Sequence, residues 1–292
     1  MKTVLKGTKS IVCIVPDHPT VLIGKRAAST RRKRLADESG ASIIEIAKNE
    51  ALAQVAAGAD VVDVNINATS LEQAILLPRI VETVQEVVEV PLSISTSNLE
   101  ALAAALKVCQ GKPLVSLVNG EDENLNQVLP LVAEHGAAVV GLCVDEAGIP
   151  ADPYRRLEIA CKIIERAESW GIPQADILID CQTRAVEVDR EAALTTLEAI
   201  RLIKAELGLN MTLDVSNISS ELPNYPALHQ TLLAVAITEG VNAPFADAAQ
   251  ARQTILSIDL LLGRDERAMR YIKYYHYRRS GIRSLVDWEL IG

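Results

Sequence analysis

From about residue 20 onward the chain alternates between two patterns. Short runs of β-branched and aliphatic residues lack the in–out alternation of an exposed sheet and read as buried parallel strands. Longer stretches with apolar residues three and four apart read as amphipathic helices. The strands are predicted at Thr20–Gly24, Asp60–Asn65, Pro91–Ser95, Pro113–Asn119, Ala137–Asp145, Asp176–Cys181, Met211–Asn217 and Val241–Asp247. The helices are predicted over 42–57, 70–89, 98–110, 122–135, 153–170, 190–207, 225–239 and 248–262. Ile43, Ala47, Ala51 and Val55 mark the inner face of the first helix. Ser97-Asn98 before Leu99, and Asp189 before the Ala192–Leu202 stretch, have the short polar side chains that cap helix N-termini.

The alternation makes eight strand–helix units of about 30 residues, close to the roughly 250 residues of a closed eight-fold barrel. Even spacing and the lack of a Pro/Gly-rich linker favour one barrel over two doubly wound domains. The expected fold is therefore α/β, a (β/α)8 TIM barrel over residues 1–263, with residues 1–19 as a cap across its bottom. Residues 26–41, which contain Arg31-Arg32-Lys33-Arg34, form a long first βα loop. Residues 264–292 form an aromatic and basic extension, expected to pack on the barrel or on a partner.

Composition sharpens this picture. One Phe, two Trp and six Tyr are the only aromatics, so the core is built from aliphatic residues, as barrel interiors are. The extension carries seven basic and four acidic residues, +3, against −9 for the whole chain, which leaves −12 on residues 1–263. An acidic body disfavours a nucleic-acid binder. No apolar run is long enough to span a membrane. Five scattered cysteines without a CxxC suit a reducing cytoplasm and argue against a disulfide framework.

In this fold the chemistry sits at the C-terminal ends of the strands. Read in order, those ends offer Lys25, Asp63 and Asn65, Ser95, Ser116 and Asn119, Asp145, Asp180 and Gln182, Asp214 and Asn217, and Asp247. None carries a histidine; His18, His135, His229 and His276 fall elsewhere, so neither a His-ligated metal nor a His base is expected. The ring of amides, hydroxyls and carboxylates suits a flat heterocycle with many N–H and C=O groups. The candidate substrate-binding residues are Asn65, Ser95, Ser116, Asn119, Asp180, Gln182 and Asn217. For Asp63, Asp145 and Asp214 a turn or helix-capping role competes with that reading.

An ordered set of segments carries a family resemblance. They are Ile23-Gly24-Lys25-Arg26, Ala57-Gly58-Ala59-Asp60 with Asp63-Val64-Asn65, Glu134 to Ala138 with Gly141-Leu142, Asp145 to Pro150, Ile179-Asp180, and Ser216 to Ser219. Over residues 20–262 the chain resembles the pterin-binding methyltransferases that move a methyl group between methyltetrahydrofolate and a corrinoid protein. Dihydropteroate synthases share that barrel, but their late basic residues have no match here. The resemblance implies a pterin in the mouth, a corrinoid (cobalamin) on a partner protein, no bound metal and a homodimer. It makes Asn217 the catalytic group, contacting N5 of the pterin. Asn65, Asp180 and Asn217 match the family pattern. Lys25 stands where the family has Glu, Ala28 where it has Asn, Ser95 where it has Asp, and Ser116 where it has Asn, with Asn119 close by. These changes also support a second reading, a non-catalytic subunit that docks a corrinoid protein or a partner enzyme.

Overall fold

The computed structural model describes residues 1–25, 43–66, 70–219 and 221–280. The chain opens with an antiparallel hairpin of β1 (Thr3–Lys6) and β2 (Ile11–Ile14). Eight parallel strands follow: β3 (Ile23–Gly24), β4 (Val61–Val64), β5 (Leu92–Ser95), β6 (Leu114–Asn119), β7 (Ala138–Leu142), β8 (Ile177–Asp180), β9 (Asn210–Thr212) and β10 (Phe245–Ala246). They hydrogen-bond in chain order, with β10 beside β3. A parallel bridge between Asp214 and Phe245, with Phe245 N–H donating to the Leu213 carbonyl at 3.0 Å, joins β9 to β10 and closes the barrel. The (β/α)8 architecture read from the sequence is the one present.

Among the described residues, eight helices separate or follow the strands: α1 (Ile43–Ala56), α2 (Ser70–Val87), α3 (Leu99–Val108), α4 (Asp122–Glu134), α5 (Pro153–Ser169), α6 (Ala192–Leu207), α7 (Tyr225–Glu239) and α8 (Ala248–Leu261). Asn98 caps α3, accepting from Ala101 N–H at 3.1 Å. Asp189 does not cap α6: its carboxylate accepts from Glu191 N–H at 3.0 Å, and Glu191 takes the cap position without a side-chain bond. On α1, Ala47, Ala51 and Val55 face the core, but Ile43 is 39 % exposed and Ile44 packs inward instead. The Arg31–Arg34 run and Ala28 lie outside the described residues.

Several strands are shorter than their apolar runs, and β3 and β10 keep only two residues each. β7 stops at Leu142, because Val144 N–H turns back to the Leu142 carbonyl at 2.7 Å. β9 ends at Thr212, because Asp214 accepts from Ser216 N–H at 3.0 Å and winds residues Val215–Ile218 into a 3-10 turn. Aliphatic side chains fill the layer between strands and helices. A second cluster fills the barrel interior, where Leu5 and Ile14 of the hairpin pack against Ile23, Val61, Leu114, Val140 and Leu178. Asn210 donates to Thr3 Oγ1 at 2.8 Å and to the Ile14 carbonyl at 3.0 Å, fixing the hairpin beneath the barrel.

A ninth helix, α9 (Met269–Ser280), runs beyond the barrel. Tyr274 and Tyr277 pack on Leu256, and the Tyr277 hydroxyl donates to the Ala56 carbonyl at 3.0 Å. Fully buried Asp259 of α8 accepts from Thr20 N–H at 2.9 Å, Thr20 Oγ1 at 2.7 Å and Arg270 at 3.1 Å. One carboxylate thus ties the start of β3 to the base of α9. Trp288 lies outside the described residues. No described helix is long and apolar enough to cross a membrane.

Candidate active site at the barrel mouth

The period-two alternation of each strand decides what enters the mouth. Ile23, Val61, Leu114, Leu178 and Phe245 point into the barrel. Two residues further on from the first two and from Leu178 come Lys25, Asp63 and Asp180. Ser95, Ser116 and Asp214 occupy the same upper layer on their strands. Phe245 lies beneath Lys25, whose Nζ sits 5.9 Å from the ring centroid.

These groups are connected. Lys25 Nζ donates to Asp214 Oδ2 at 2.8 Å. Ser93 and Ser95 both donate to Asp63 Oδ1, at 2.9 and 2.6 Å. Ser93 Oγ is also 2.9 Å from Ser116 Oγ, so the hydroxyls form a chain running Ser116, Ser93, Asp63. Asp63 Oδ2 is buried and has no hydrogen-bond partner. Asp180 is 2 % exposed and accepts from Gln182 N–H at 2.7 Å.

Burial and neighbouring charges shift the protonation of Asp63, Asp180 and Lys25. Burial pushes Asp180 up to about 7, against the Gln182 N–H that favours its anion. Burial also raises Asp63 above the usual carboxylate range, opposed by Lys25 and the two serine hydroxyls. For Lys25 burial pulls the other way, yet the charges of Asp214, Asp63 and Asp180 hold its ammonium above the ordinary lysine value. The layer is therefore poised to exchange a proton near neutrality.

The residues singled out from the sequence fall into three groups. Ser95, Ser116 and Asp180 lie in the buried inner layer. Asn65, Gln182 and Asn217 sit two or more residues higher, at the rim; Asn65 and Asn217 are exposed and Gln182 is half-buried with φ +55°. Asn119 is turned to its own loop, where its Oδ1 accepts from Glu121 N–H at 3.0 Å. A register shift between Val115 and Val118, with Leu117 at φ +83°, interrupts the alternation of β6 before Asn119. Asp145 is likewise a loop residue, held by Arg155 at 3.0 Å and Ala147 N–H at 3.0 Å.

Sequence reasoning under-weighted Lys25, Asp63 and Asp214; their two-residue offset from apolar inward positions was the available signal. It also left out His229. This residue lies on α7 and lines a cleft with Lys25, Asp214, Ser216, Tyr225 and Asp247. Its Nε2 is 2.7 Å from the Ser219 carbonyl, so it fastens the turn that carries Asn217. Gly24 is required beside the site, since a Cβ there would fall 2.6 Å from the Ala59 Cβ. Among the described residues no His, Cys, Asp and Glu group could hold a metal ion. Cys181 is buried and free, in keeping with a packing role.

A parallel eight-stranded barrel with a buried, mixed-charge upper layer is the architecture of a small-molecule enzyme whose chemistry lies at the strand ends. The model of the pterin binding enzyme family matches residues 34–244, and the chain belongs to that family. A methylcorrinoid:tetrahydrofolate methyltransferase of Eubacterium limosum is 28 % identical over 241 residues, 80 % of this chain and 88 % of that protein. A methionine synthase of Mycobacterium leprae is 29 % identical over 94 % of this chain, which spans only 24 % of that longer protein. Among solved structures, dihydropteroate synthase of Xanthomonas albilineans in complex with 7,8-dihydropteroate superposes with a TM-score of 0.68 at 17 % identity. That likeness covers 88 % of this chain and 98 % of the other, and concerns the fold.

Proposed function

We propose that this protein transfers a methyl group between N5 of a tetrahydropterin, methyltetrahydrofolate or an analogue, and a corrinoid carried by a partner protein. The observation that carries the reading is the upper layer of the barrel. It presents carboxylates and hydroxyls to a flat ligand and, among the described residues, offers no nucleophile with an activating base. A methyl transfer of this kind needs no covalent step on the protein, because the corrinoid supplies the cobalt centre that accepts or donates the methyl group.

The chain's own residues have two tasks. Asp180, with Ser95 and Ser116, binds and orients the pterin by its polar edge, and Asn65 and Gln182 border it at the rim. Asn217, on the turn after β9, hydrogen-bonds N5. When the methyl leaves N5 the electron pair stays on nitrogen, so a donor placed there lowers the barrier by electrostatic stabilisation. His229 holds that turn through Ser219. The family membership and the methyltransferases among the relatives support the assignment.

The test is a methyl-transfer assay with cob(I)alamin and methyltetrahydrofolate, followed by the absorbance of the cobalt species. Transfer at a rate that depends on enzyme concentration is expected; no transfer in either direction, and no tetrahydrofolate binding by calorimetry, overturns the proposal. With it we propose a cytoplasmic homodimer, in keeping with five free cysteines, which light scattering on the purified protein checks.

A further inference from the structure

Among the described residues, Arg156 is the bulkiest of the fully buried side chains, at 1 % exposure. Its place is unfavourable for a cation. It is the fourth residue of α5, at the helix end where the dipole disfavours positive charge. Its hydrogen bonds among those residues all end on neutral oxygens. Nε donates to the Pro150 carbonyl at 2.8 Å, and Nη1 to the Cys181 carbonyl at 3.1 Å, the Gln182 carbonyl at 3.0 Å and Thr196 Oγ1 at 3.0 Å. Burial pulls the guanidinium below its ordinary value, and the charge of Arg184 acts in the same direction. A buried cation without a carboxylate partner is costly, and an aliphatic side chain would fill the same space more cheaply. What the guanidinium binds is therefore the reason to look for.

Three of its four bonds converge on the turn after Asp180, because Thr196 Oγ1 itself donates to the Gln182 carbonyl at 2.9 Å. That turn needs holding. Gln182 has φ +55°, in the left-handed region that disfavours a residue with a side chain. Its N–H donates to Asp180 Oδ1 at 2.7 Å, so the backbone of Gln182 and the direction of the Asp180 carboxylate are set together. On the strand side, the Asp180 carbonyl is fixed by Cys143 N–H at 2.9 Å.

We infer that Arg156 is a positioning residue for the mouth: anchored on α5, its guanidinium holds the Cys181–Gln182 backbone so that the Asp180 carboxylate stays aimed at the bound ligand. The inference rests on the reading of Asp180 as a pterin-binding group and deepens it. Arg156 acts through two backbone carbonyls and one hydroxyl, from the helix layer. Arginine suits the task because its planar fork carries five donors in fixed directions. A lysine there keeps the charge but cannot span the turn, Thr196 and Pro150 at once.

The test variants are Arg156→Lys and Thr196→Val, with Ile163→Val as a control. Ile163 is buried on the same helix and packs beside Gly141, away from the turn. Binding of tetrahydrofolate at pH 6 is measured by anaerobic calorimetry in buffers of different ionisation enthalpy, which counts the protons released, with circular dichroism melts alongside. Proton release reports the ligand's contact with Asp180, which a merely structural role of Arg156 would not move. The charged and titratable groups that act on Asp180 are Lys25, Asp214, Cys181 and Arg156 itself, and the first three are the same in every variant. The wild type is expected to release most of one proton per site. Arg156→Lys is expected to bind at least tenfold more weakly and to release at most half as much. Thr196→Val is expected to change both quantities in the same direction by less. Ile163→Val is expected to lower the melting temperature and to leave both within twofold. A wild type that binds no tetrahydrofolate overturns the pterin reading and this inference together. A wild type that binds it without releasing protons, or a folded Arg156→Lys with wild-type proton release, overturns this inference alone. Should Arg156→Lys fail to fold, Thr196→Val decides the matter by the same two measurements: wild-type affinity and proton release in that variant overturn the inference.

Discussion

Lys25 Nζ and Asp214 Oδ2 meet at 2.8 Å across the strand that closes the barrel. Lys25 follows β3 and Asp214 follows β9, with β10 between them, so the ion pair spans the seam at its upper edge. The side chains are 31 % and 12 % exposed, which places the pair between a surface bridge and a buried one. Replacing Lys25 by Met leaves Asp214 facing Asp63 and Asp180 without a counter-charge. The expected cost is about 1–3 kcal/mol, below that of a fully buried pair because of the residual exposure. A Lys25→Met, Asp214→Asn double variant is expected to recover much of it. Urea denaturation of the four members of the cycle measures the coupling, and additive losses would show the pair to be inert.

Asp180 gives stability a pH dependence of unusual sign. Its carboxyl holds a proton to about pH 7 in the folded chain, against 3.8 for the free group. The folded state is the better proton binder, so this contribution is complete below about pH 4 and is lost as pH rises through 7. Three pH units correspond to a loss on the order of 4 kcal/mol. Asp180→Asn cannot ionise and has no such loss. Its melting temperature is therefore expected to gain on that of the wild type between pH 5 and pH 8. Parallel curves would show that Asp180 is already ionised at pH 5. A ligand that donates to Asp180 favours the anion, so tetrahydrofolate binding below pH 7 is expected to release protons.

Ser95→Asp is the change that would bring this position to the family pattern, and it is expected to fail here. Ser95 Oγ lies 2.6 Å from Asp63 Oδ1, so the new carboxylate would face an existing one at close range. Two carboxylates in one site do not both ionise readily, and one retains a proton well above its usual range. The loss of stability is thus expected to grow from pH 5 to pH 8, with no gain in tetrahydrofolate affinity. Thermal melts at both pH values and calorimetry test this; tighter binding with unchanged melting would refute it.

Asp259 anchors α9 to the barrel. It is fully buried and takes Thr20, Arg270 and, at 3.8 Å, Arg264. Removing one member of a buried charged network costs roughly 3–5 kcal/mol. Asp259→Ala is expected to lower the melting temperature by on the order of 10 °C. It is also expected to raise amide exchange in α9 more than in α3, which hydrogen-exchange mass spectrometry resolves. Uniform exchange would make the effect global.

What the sequence discloses of this site, and what it conceals, follows from the geometry of parallel strands. Apolar runs locate the strands because both faces of each are buried, and their two-residue period then assigns the inner face. Asp180 is legible in this way, two residues after Leu178. Lys25 and Asp63 obey the same offset from Ile23 and Val61, but a charged residue at a strand end has an equally ordinary role in a turn. Asn119 ends an apolar run and so reads as a mouth residue, but its Oδ1 accepts from Glu121 N–H and serves its own loop, a local contact that the strand pattern does not record. His229 is hidden for another reason: it reaches the mouth from a helix, through a contact with Ser219 that no local pattern records.

Asn217 separates binding from chemistry. It sits exposed on the 3-10 turn after β9, with its N–H 3.3 Å from the Asp214 carbonyl. An exposed side chain outside the packed layer contributes little to folding, so Asn217→Ala is expected to melt within a degree or two of the wild type. Its proposed role is to donate to N5 as charge changes there, which matters in the transition state more than in the bound pterin. Loss of such a pre-placed donor costs on the order of 3 kcal/mol of barrier, about a hundredfold in rate. The expectation is a fall in kcat for methyl transfer with a tetrahydrofolate Kd changed less than tenfold. Stopped-flow absorbance of the cobalt species and calorimetry on the same preparation give the two numbers. A rate that falls only in proportion to Kd would make Asn217 a binding residue, and an unchanged rate would remove it from the reaction.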